Sequence, residues 1–329
     1  MLTGKYVIAG ATGLMGTTAL ARLRDQPGIT IKAIYNNREP FIFADNISYC
    51  KADLTKADEC WKAVSGSDYV LSFAGILMTA PVLAADPVTP LTKNILINTQ
   101  MLEAAYHADV KKLLFISSST GYPAQDKLLQ EDDMFRGDPA EVYFSVGWMF
   151  RYTEILCRIF ATKLKTPLPI VVIRPSTIYG EYEDFNPATA HMLPALIKKS
   201  VDREEPIEVW GSGEVRRDMI YADDLFDACL SAMERPEVFN VFNVAFGREY
   251  SVNELLEIIL RVDDHKDASI VYNNIRPITG GRRVLDVRKS QEQLGFKPKT
   301  DMETGIRKMV ARYKNSIAKY SGTNKGDNL

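Results

Sequence analysis

Three residue sets in this chain have types and spacings suited to chemistry. The first is Gly10, Gly13 and Gly16, directly after the apolar run Tyr6-Val7-Ile8-Ala9. A phosphate needs backbone N–H groups aimed at it and no Cβ in the way, and a glycine turn that opens a helix supplies both. In that arrangement Gly10 makes the turn, Gly13 lets the backbone approach a pyrophosphate, and Gly16 lets the following helix, Leu14–Leu23, pack on the sheet. Thr12, Leu14 and Met15 complete the cradle. The second set is Asn36-Asn37-Arg38, at the end of an expected strand at 30–35. An acid there would accept the two ribose hydroxyls of NAD; asparagine with arginine suits a 2′-phosphate, so NADP(H) is the expected cofactor. The third is the hydroxyl run Ser118-Ser119-Thr120, which leads into Gly121-Tyr122-Pro123.

These groups need elements to hold them. Strands are expected at 47–51, 69–73, 112–117 and 170–173, alternating with helices at 90–108 and 142–163. That alternation means an α/β chain with a Rossmann-type, doubly wound parallel sheet, whose ligands lie at the carboxyl ends of its strands. Asp53-Leu54 is then placed to hold the adenine, and Ala74-Gly75 is small enough for a ligand to lie over the strand end. Beyond Gly180 the pattern becomes mixed: a helix at 188–199, a strand at 207–210, the segment at 216–224 leading into a helix to 233, and a strand at 238–244. Further pieces are a helix at 252–261, a strand at 270–272 and a last helix at 303–314. The expected division is a cofactor-binding domain of 1–173 and 218–257, a smaller mixed α/β substrate-binding domain of 174–217 and 258–320, and a disordered tail, 321–329.

Composition narrows the partners. With 40 basic and 42 acidic residues the net charge is -2, which gives no reason to expect nucleic acid or a membrane surface. Cys50, Cys60, Cys157 and Cys229 lack paired spacing, and His107, His191 and His265 do not cluster, so neither disulfides nor a metal are expected. The absence of a long apolar run and of a leader-like start points to a cytoplasmic protein.

Over nearly its whole length the chain resembles the extended short-chain dehydrogenase/reductases that act on nucleotide sugars, and within them the GDP-L-fucose synthase-like branch. The residues that carry the resemblance are the glycine turn, Ser118 four residues before Tyr122, the run from Arg174 to Gly180, the run from Arg217 to Asp224, and His191 ahead of Pro194-Ala195-Leu196. The resemblance implies NADPH held by the glycine turn, with Pro175 and Ile178 also against the cofactor. It implies that Ser118 bonds the C4 oxygen of a sugar, that Thr120 and His191 occupy the positions of a proton-moving pair, and that Lys199, Trp210, Arg217 and Arg283 hold the nucleotide diphosphate. It also implies a homodimer packed through the helices after the fourth and fifth strands.

One part of the family pattern is missing. Its tyrosine and the lysine four residues on fall here at Val146 and Phe150. A free phenol has a pKa of about 10 and the lysine helps bring it into working range. Tyr143 lies about 4.5 Å back along the helix and roughly 60° round from Val146, so its hydroxyl is the available stand-in. Thr120, where the family has cysteine, is far less acidic than a thiol. The expected activity is therefore C4 reduction or oxidation of a nucleotide-linked (deoxy)sugar with a non-standard proton donor. A binding protein without chemistry and a redox-neutral epimerase stand as alternatives.

Overall fold

Four consecutive apolar residues, Tyr6 to Ala9, are buried on both sides, which suits a central strand of a parallel sheet covered by helices on each face. They belong to β1 (Gly4–Ala9). The chain continues through α1 (Leu14–Leu23), β2 (Ile29–Tyr35), β3 (Ile47–Lys51), α2 (Ala57–Val64), β4 (Tyr69–Ser72), α3 (Ala80–Ala85), α4 (Thr89–His107), β5 (Lys112–Ile116), α5 (Phe144–Thr162), β6 (Ile170–Pro175) and β7 (Thr177–Tyr179). Then come α6 (Met192–Val201), β8 (Ile207–Trp210), β9 (Arg216–Tyr221), α7 (Ala222–Met233), β10 (Phe239–Val244), β11 (Glu249–Ser251), α8 (Val252–Asp263), β12 (Ile270–Asn273), α9 (Arg288–Leu294) and α10 (Met302–Thr323). This structure is a computed structural model, and it describes residues 2–125, 127–275 and 283–323.

Seven strands pair in the order β10-β6-β5-β4-β1-β2-β3, every pairing parallel. The chain runs outward from β1 through β2 and β3, then returns to the other side of β1 with β4. It is at such a reversal, outside the carboxyl ends of β1 and β4, that doubly wound sheets bind ligands. Side chains alternate across the sheet. Tyr6 and Ile8 join Leu20, Leu23 and Phe226 on the α1/α7 face, whereas Val7 and Ala9 join Met101, Leu102 and Cys157 on the α4/α5 face.

A three-stranded sheet, β11-β9-β7, and a two-stranded one, β12-β8, form the smaller part. Their core comes from α6, α8 and α10, with Leu196, Leu255, Ile259, Ile306 and Met309 buried together. β9 and β11 pair in this sheet, and α8 packs in this core, although residues 218–257 are grouped with the larger unit by sequence. α8 starts where its capping box dictates: Ser251 and Glu254 each bond the other's backbone N–H.

Some boundaries differ from the sequence pattern for local reasons. α6 begins at Met192 rather than near 188, because side-chain turns occupy the residues before it: Asn186 N–H donates to Asp184, and Ala188 N–H donates to Asn186. α5 begins at Phe144, after a 3₁₀ turn at Glu141–Tyr143. α10 continues past Lys314 to Thr323, so the first three residues expected as tail are helical; 324–329 lie outside the described residues.

Candidate active site

The three glycines after β1 do different work. Gly10 has φ +78°, a conformation that glycine adopts without strain. A Cβ on it would lie 2.8 Å from the backbone of Ala74, so it also sets how closely the ends of β1 and β4 approach. At Gly16 a Cβ would lie 2.1 Å from the Gly10 carbonyl oxygen and 2.7 Å from Ala11 Cα. Gly13 is exposed at the N-cap of α1, and a Cβ there would meet only the Gly10 carbonyl oxygen, at 3.4 Å. The fold needs Gly10 and Gly16; the space over Gly13 is open. The first bond closing α1 runs from Thr17 N–H to the Gly13 carbonyl, so the amides of Leu14, Met15 and Gly16 sit at the free, positive end of the helix. These residues fit the pyrophosphate of a dinucleotide.

Arg38 stands over this turn. Its Nη1 donates to the Thr12 carbonyl at 3.3 Å and its Nη2 lies 3.5 Å from Asp184 Oδ2. Asp53 is fixed by Thr55, whose hydroxyl and N–H donate to Oδ1 and hold its carboxyl below the usual range; Leu54 beside it is buried. Gly75 is exposed, and the loop it opens is clamped by Asn94, buried on α4, which accepts from Ile76 N–H at 2.7 Å and donates to the Ile76 carbonyl at 2.9 Å. Asn94 is a polar residue at a core position, a signal the sequence offered and the site reading missed. Pro175 and Ile178 lie at the β6–β7 junction, and a Cβ on the following Gly180 would lie 3.3 Å from Leu14 Cδ1. β7 therefore ends at the start of α1.

Ser118 caps the short 3₁₀ turn Ser119–Gly121 after β5. Its Oγ accepts from Thr120 N–H at 3.2 Å and shares a hydrogen bond with Thr120 Oγ1 at 3.0 Å. Two hydroxyls thus use one proton between them and keep one to donate outward. α5 presses directly on this turn: a Cβ on Gly147 would lie 2.7 Å from the Thr120 carbonyl oxygen. Val146 is buried, and Phe150 packs in the α4/α5 core with its ring 6.4 Å from that of Phe115. Arg151, the nearest cation in sequence, is turned away: its Nε donates to the Gly121 carbonyl at 2.7 Å and its Nη1 to the Gly137 carbonyl at 2.6 Å.

Beneath Ser118 runs a buried polar network. Ser117 donates to Glu154, Glu154 pairs with Arg174, and Arg174 donates to Tyr122 Oη at 2.8 Å and to the Glu131 carbonyl at 2.7 Å. Tyr122 in turn donates to Asn243 at 2.7 Å. Burial pushes the Tyr122 phenol well above its ordinary value, so it is a structural hydroxyl. A partnered, buried network of this kind fixes the turn it supports.

The residues expected to hold a nucleotide diphosphate divide into two groups. Arg283 lies with its guanidinium carbon 4.1 Å from the centre of the Tyr143 ring, and among the described residues its buried Nε and Nη1 have no hydrogen-bond partner. Arg217 is close to both: burial lowers its pKa, the Tyr143 hydroxyl opposes that and the Arg283 charge adds to it. Lys199 and Trp210 meet elsewhere, at Glu208. Lys199 Nζ donates to the Glu208 carbonyl at 2.9 Å and Trp210 Nε1 donates to the Glu208 carboxylate at 3.2 Å. His191 is the N-cap residue of α6; desolvation lowers its pKa and the Asp184 charge opposes that shift. Among the described residues no hydrogen bond joins His191 to Thr120.

Comparison with known proteins agrees with this geometry. The chain matches the NAD dependent epimerase/dehydratase family over residues 6–245. It is 24% identical over 328 residues to GDP-L-fucose synthase of Sinorhizobium fredii, spanning 97% of this chain and 98% of that protein. To GDP-L-colitose synthase of Yersinia pseudotuberculosis it is 28% identical over 254 residues, 75% of this chain and 82% of that one. Its structure resembles UDP-N-acetylglucosamine 4-epimerase from Methanobrevibacter ruminantium in complex with UDP-N-acetylmuramic acid, with a TM-score of 0.84, 25% identity, and 96% and 100% of the two chains covered. The matched residues run from β1 through β10, so the glycine turn, the Ser118 turn and the strand order all fall inside the match, and the chain belongs to the NAD dependent epimerase/dehydratase family.

Proposed function

We propose that the protein is an NADP(H)-dependent oxidoreductase that reduces or oxidises C4 of a nucleotide-linked (deoxy)sugar. The observation that carries this reading is Arg283: a guanidinium with two buried nitrogens that have no hydrogen-bond partner among the described residues, beside a second arginine, suits a polyanion such as a diphosphate. The glycine cradle, Arg38 and the Asp53-Leu54 turn support the cofactor side, and the absence of an acid among Asn36, Asn37 and Arg38 supports the 2′-phosphorylated form. When bound, the nicotinamide supplies or accepts the hydride.

The protein's own residues have separate tasks in this reading. Leu14, Met15 and Gly16 amides bind phosphate, with Thr12 below Arg38 and Ala74, Pro175 and Ile178 bounding the site. The outward proton of the Ser118/Thr120 pair holds the C4 oxygen. Arg217 and Arg283 bind the diphosphate, while Lys199 and Trp210, which meet apart from them at Glu208, and His191, at the N-cap of α6, keep the substrate-side roles that the resemblance implies. Tyr143 is the proton donor in place of the residue at 146. Purified protein mixed with NADPH and a panel of nucleotide 4-keto-6-deoxy sugars, GDP-4-keto-6-deoxymannose first, is expected to lose reduced-nicotinamide absorbance. Tyr143→Phe should then cut turnover by about 10² to 10⁴ while ligand binding persists. Tight binding of both ligands without oxidation overturns the reductase reading in favour of a binding protein, which the apolar Val146 and Phe150 favour. Solvent deuterium incorporated into the sugar without net oxidation favours the redox-neutral epimerase.

A further inference from the structure

The loop after β7 reaches back over the turn that follows β1. Asp184 Oδ2 lies 3.5 Å from Arg38 Nη2, on the same guanidinium that donates through Nη1 to the Thr12 carbonyl. The carboxylate is fixed from its own side as well: Asn186 N–H donates to Oδ1 at 3.1 Å and the Thr189 hydroxyl to Oδ2 at 2.6 Å. A separate contact holds the two loops together. Phe41, three residues after Arg38, packs against Tyr182 with ring centres 5.9 Å apart, and the Arg312 guanidinium of α10 lies 5.2 Å and 5.6 Å from the two rings. Arg38 is therefore seated between a helix N-terminus and an acid, with 47% of its side chain still open to solvent and able to take a further anion. Glu183 also faces it, but burial pushes that carboxyl up to about 8, so at neutral pH Asp184 is the charged neighbour.

We propose that Asp184 sets the cofactor preference of this protein: its carboxylate competes with the cofactor's 2′-phosphate for Arg38 and so narrows the preference for the phosphorylated dinucleotide over the unphosphorylated one. The proposal rests on the reading of the glycine turn and Arg38 as an NADP(H) site. A phosphate brings more charge and more acceptor oxygens than a carboxylate, so it displaces Asp184, but at the cost of one ion pair. Exposed pairs of this kind change an equilibrium by no more than about fivefold.

The test is a titration of the full chain with NADPH and with NADH, followed by nicotinamide fluorescence. Asp184→Asn keeps the acceptor for Asn186 and the shape of the turn. It should tighten NADPH about two- to fivefold and leave NADH unchanged. In an Arg38→Ala background that gain should vanish, since the pair no longer exists. Thr189→Val removes the hydroxyl bond but keeps the charge, and should leave the NADPH-to-NADH ratio where it was. If Asp184→Asn shifts both cofactors alike or neither, or if Thr189→Val reproduces its effect, Asp184 does not discriminate by charge. If Arg38→Ala itself leaves the ratio unchanged, what falls is the placement of the 2′-phosphate, a result separate from the other two.

Discussion

Replacing Gly13 and Gly16 in turn by alanine separates what the fold needs from what a ligand needs. Gly13 has φ -83° and ψ 175°, extended backbone open to any residue, and its added methyl would meet one carbonyl oxygen at 3.4 Å. Loss of unfolded-chain freedom favours the alanine by about 0.4–1 kcal/mol, and the poorer N-cap takes back about 0.5–1 kcal/mol. The two terms nearly cancel, so the cofactor-free protein should stay within about 0.5 kcal/mol of wild type. The methyl would, however, stand where a pyrophosphate approaches the α1 amides, and each charge-assisted bond lost is worth about 1.5–3 kcal/mol, or roughly 10- to 150-fold in Kd. Gly16→Ala is the opposite case. Helix propensity favours it by about 1 kcal/mol, yet a Cβ 2.1 Å from the Gly10 carbonyl oxygen cannot rotate away, and the backbone shift costs about 1–3 kcal/mol or more. Urea unfolding without cofactor, paired with NADPH titration, reads both quantities. A Gly13→Ala protein that binds NADPH as wild type does refutes the cradle, and one destabilised by more than about 1 kcal/mol refutes the steric reasoning.

Two further outcomes follow from other parts of the molecule. Burial raises the Glu183 pKa from 4.5 to about 8, so the native state keeps a proton that the unfolded chain releases across that window. Its contribution to stability is complete below about pH 4.5 and is lost as pH rises through about 8; Glu183→Gln should gain ~1–2 kcal/mol on wild type at about pH 9 and nothing at about pH 4. Parallel pH–stability curves for the two proteins would remove Glu183 from the account. On α5 the exposed side chains Phe144, Trp148, Tyr152 and Ile159 share one helical face, and Leu96 is exposed on the neighbouring α4. We propose that this face pairs with a second copy of the chain, and Trp148→Glu should then convert a dimer to a monomer in sedimentation; a wild-type monomer at micromolar concentration ends that proposal.

The large sheet was legible because its central strands carry continuous apolar runs bounded by glycine or by polar turns, as at Tyr6 to Ala9 and Ile170 to Ile173. The glycine turn was legible because Gly10 and Gly16 are demanded by backbone sterics, which leave a mark in the sequence. The partners of the site residues were not. Asp184 reaches Arg38 across 146 positions of chain, and Tyr143 meets Arg283 across 140. No local period encodes such pairs; they exist because β7 ends against α1 and because residues 283–286 return beside the Ser118 side of the sheet, where Leu285 bridges to Leu129. The helix at Met192 was displaced by side-chain turns that Asp184 and Asn186 announce only to a reader who knows which carboxylate is already engaged.

On the function proposed above, apolar residues at positions 146 and 150 would relocate the proton chemistry rather than merely weaken it. Phe150 extends the apolar layer between α5 and Phe115, and Val146 is buried beside it, so the cofactor-facing stretch of α5 holds no charge that could draw a proton from a phenol. The polar groups nearby are largely committed: Arg151 donates through Nε and Nη1 to two carbonyls, its Nη2 having no partner among the described residues, and Glu154 is held by Arg174 and Ser117. The cations near Tyr143 are instead Arg283, over its ring, and Arg217, which feels the charges of both. On the function proposed above, the proton for the sugar oxygen would come from Tyr143 under the influence of these same two cations, and its delivery should then depend on the diphosphate being bound.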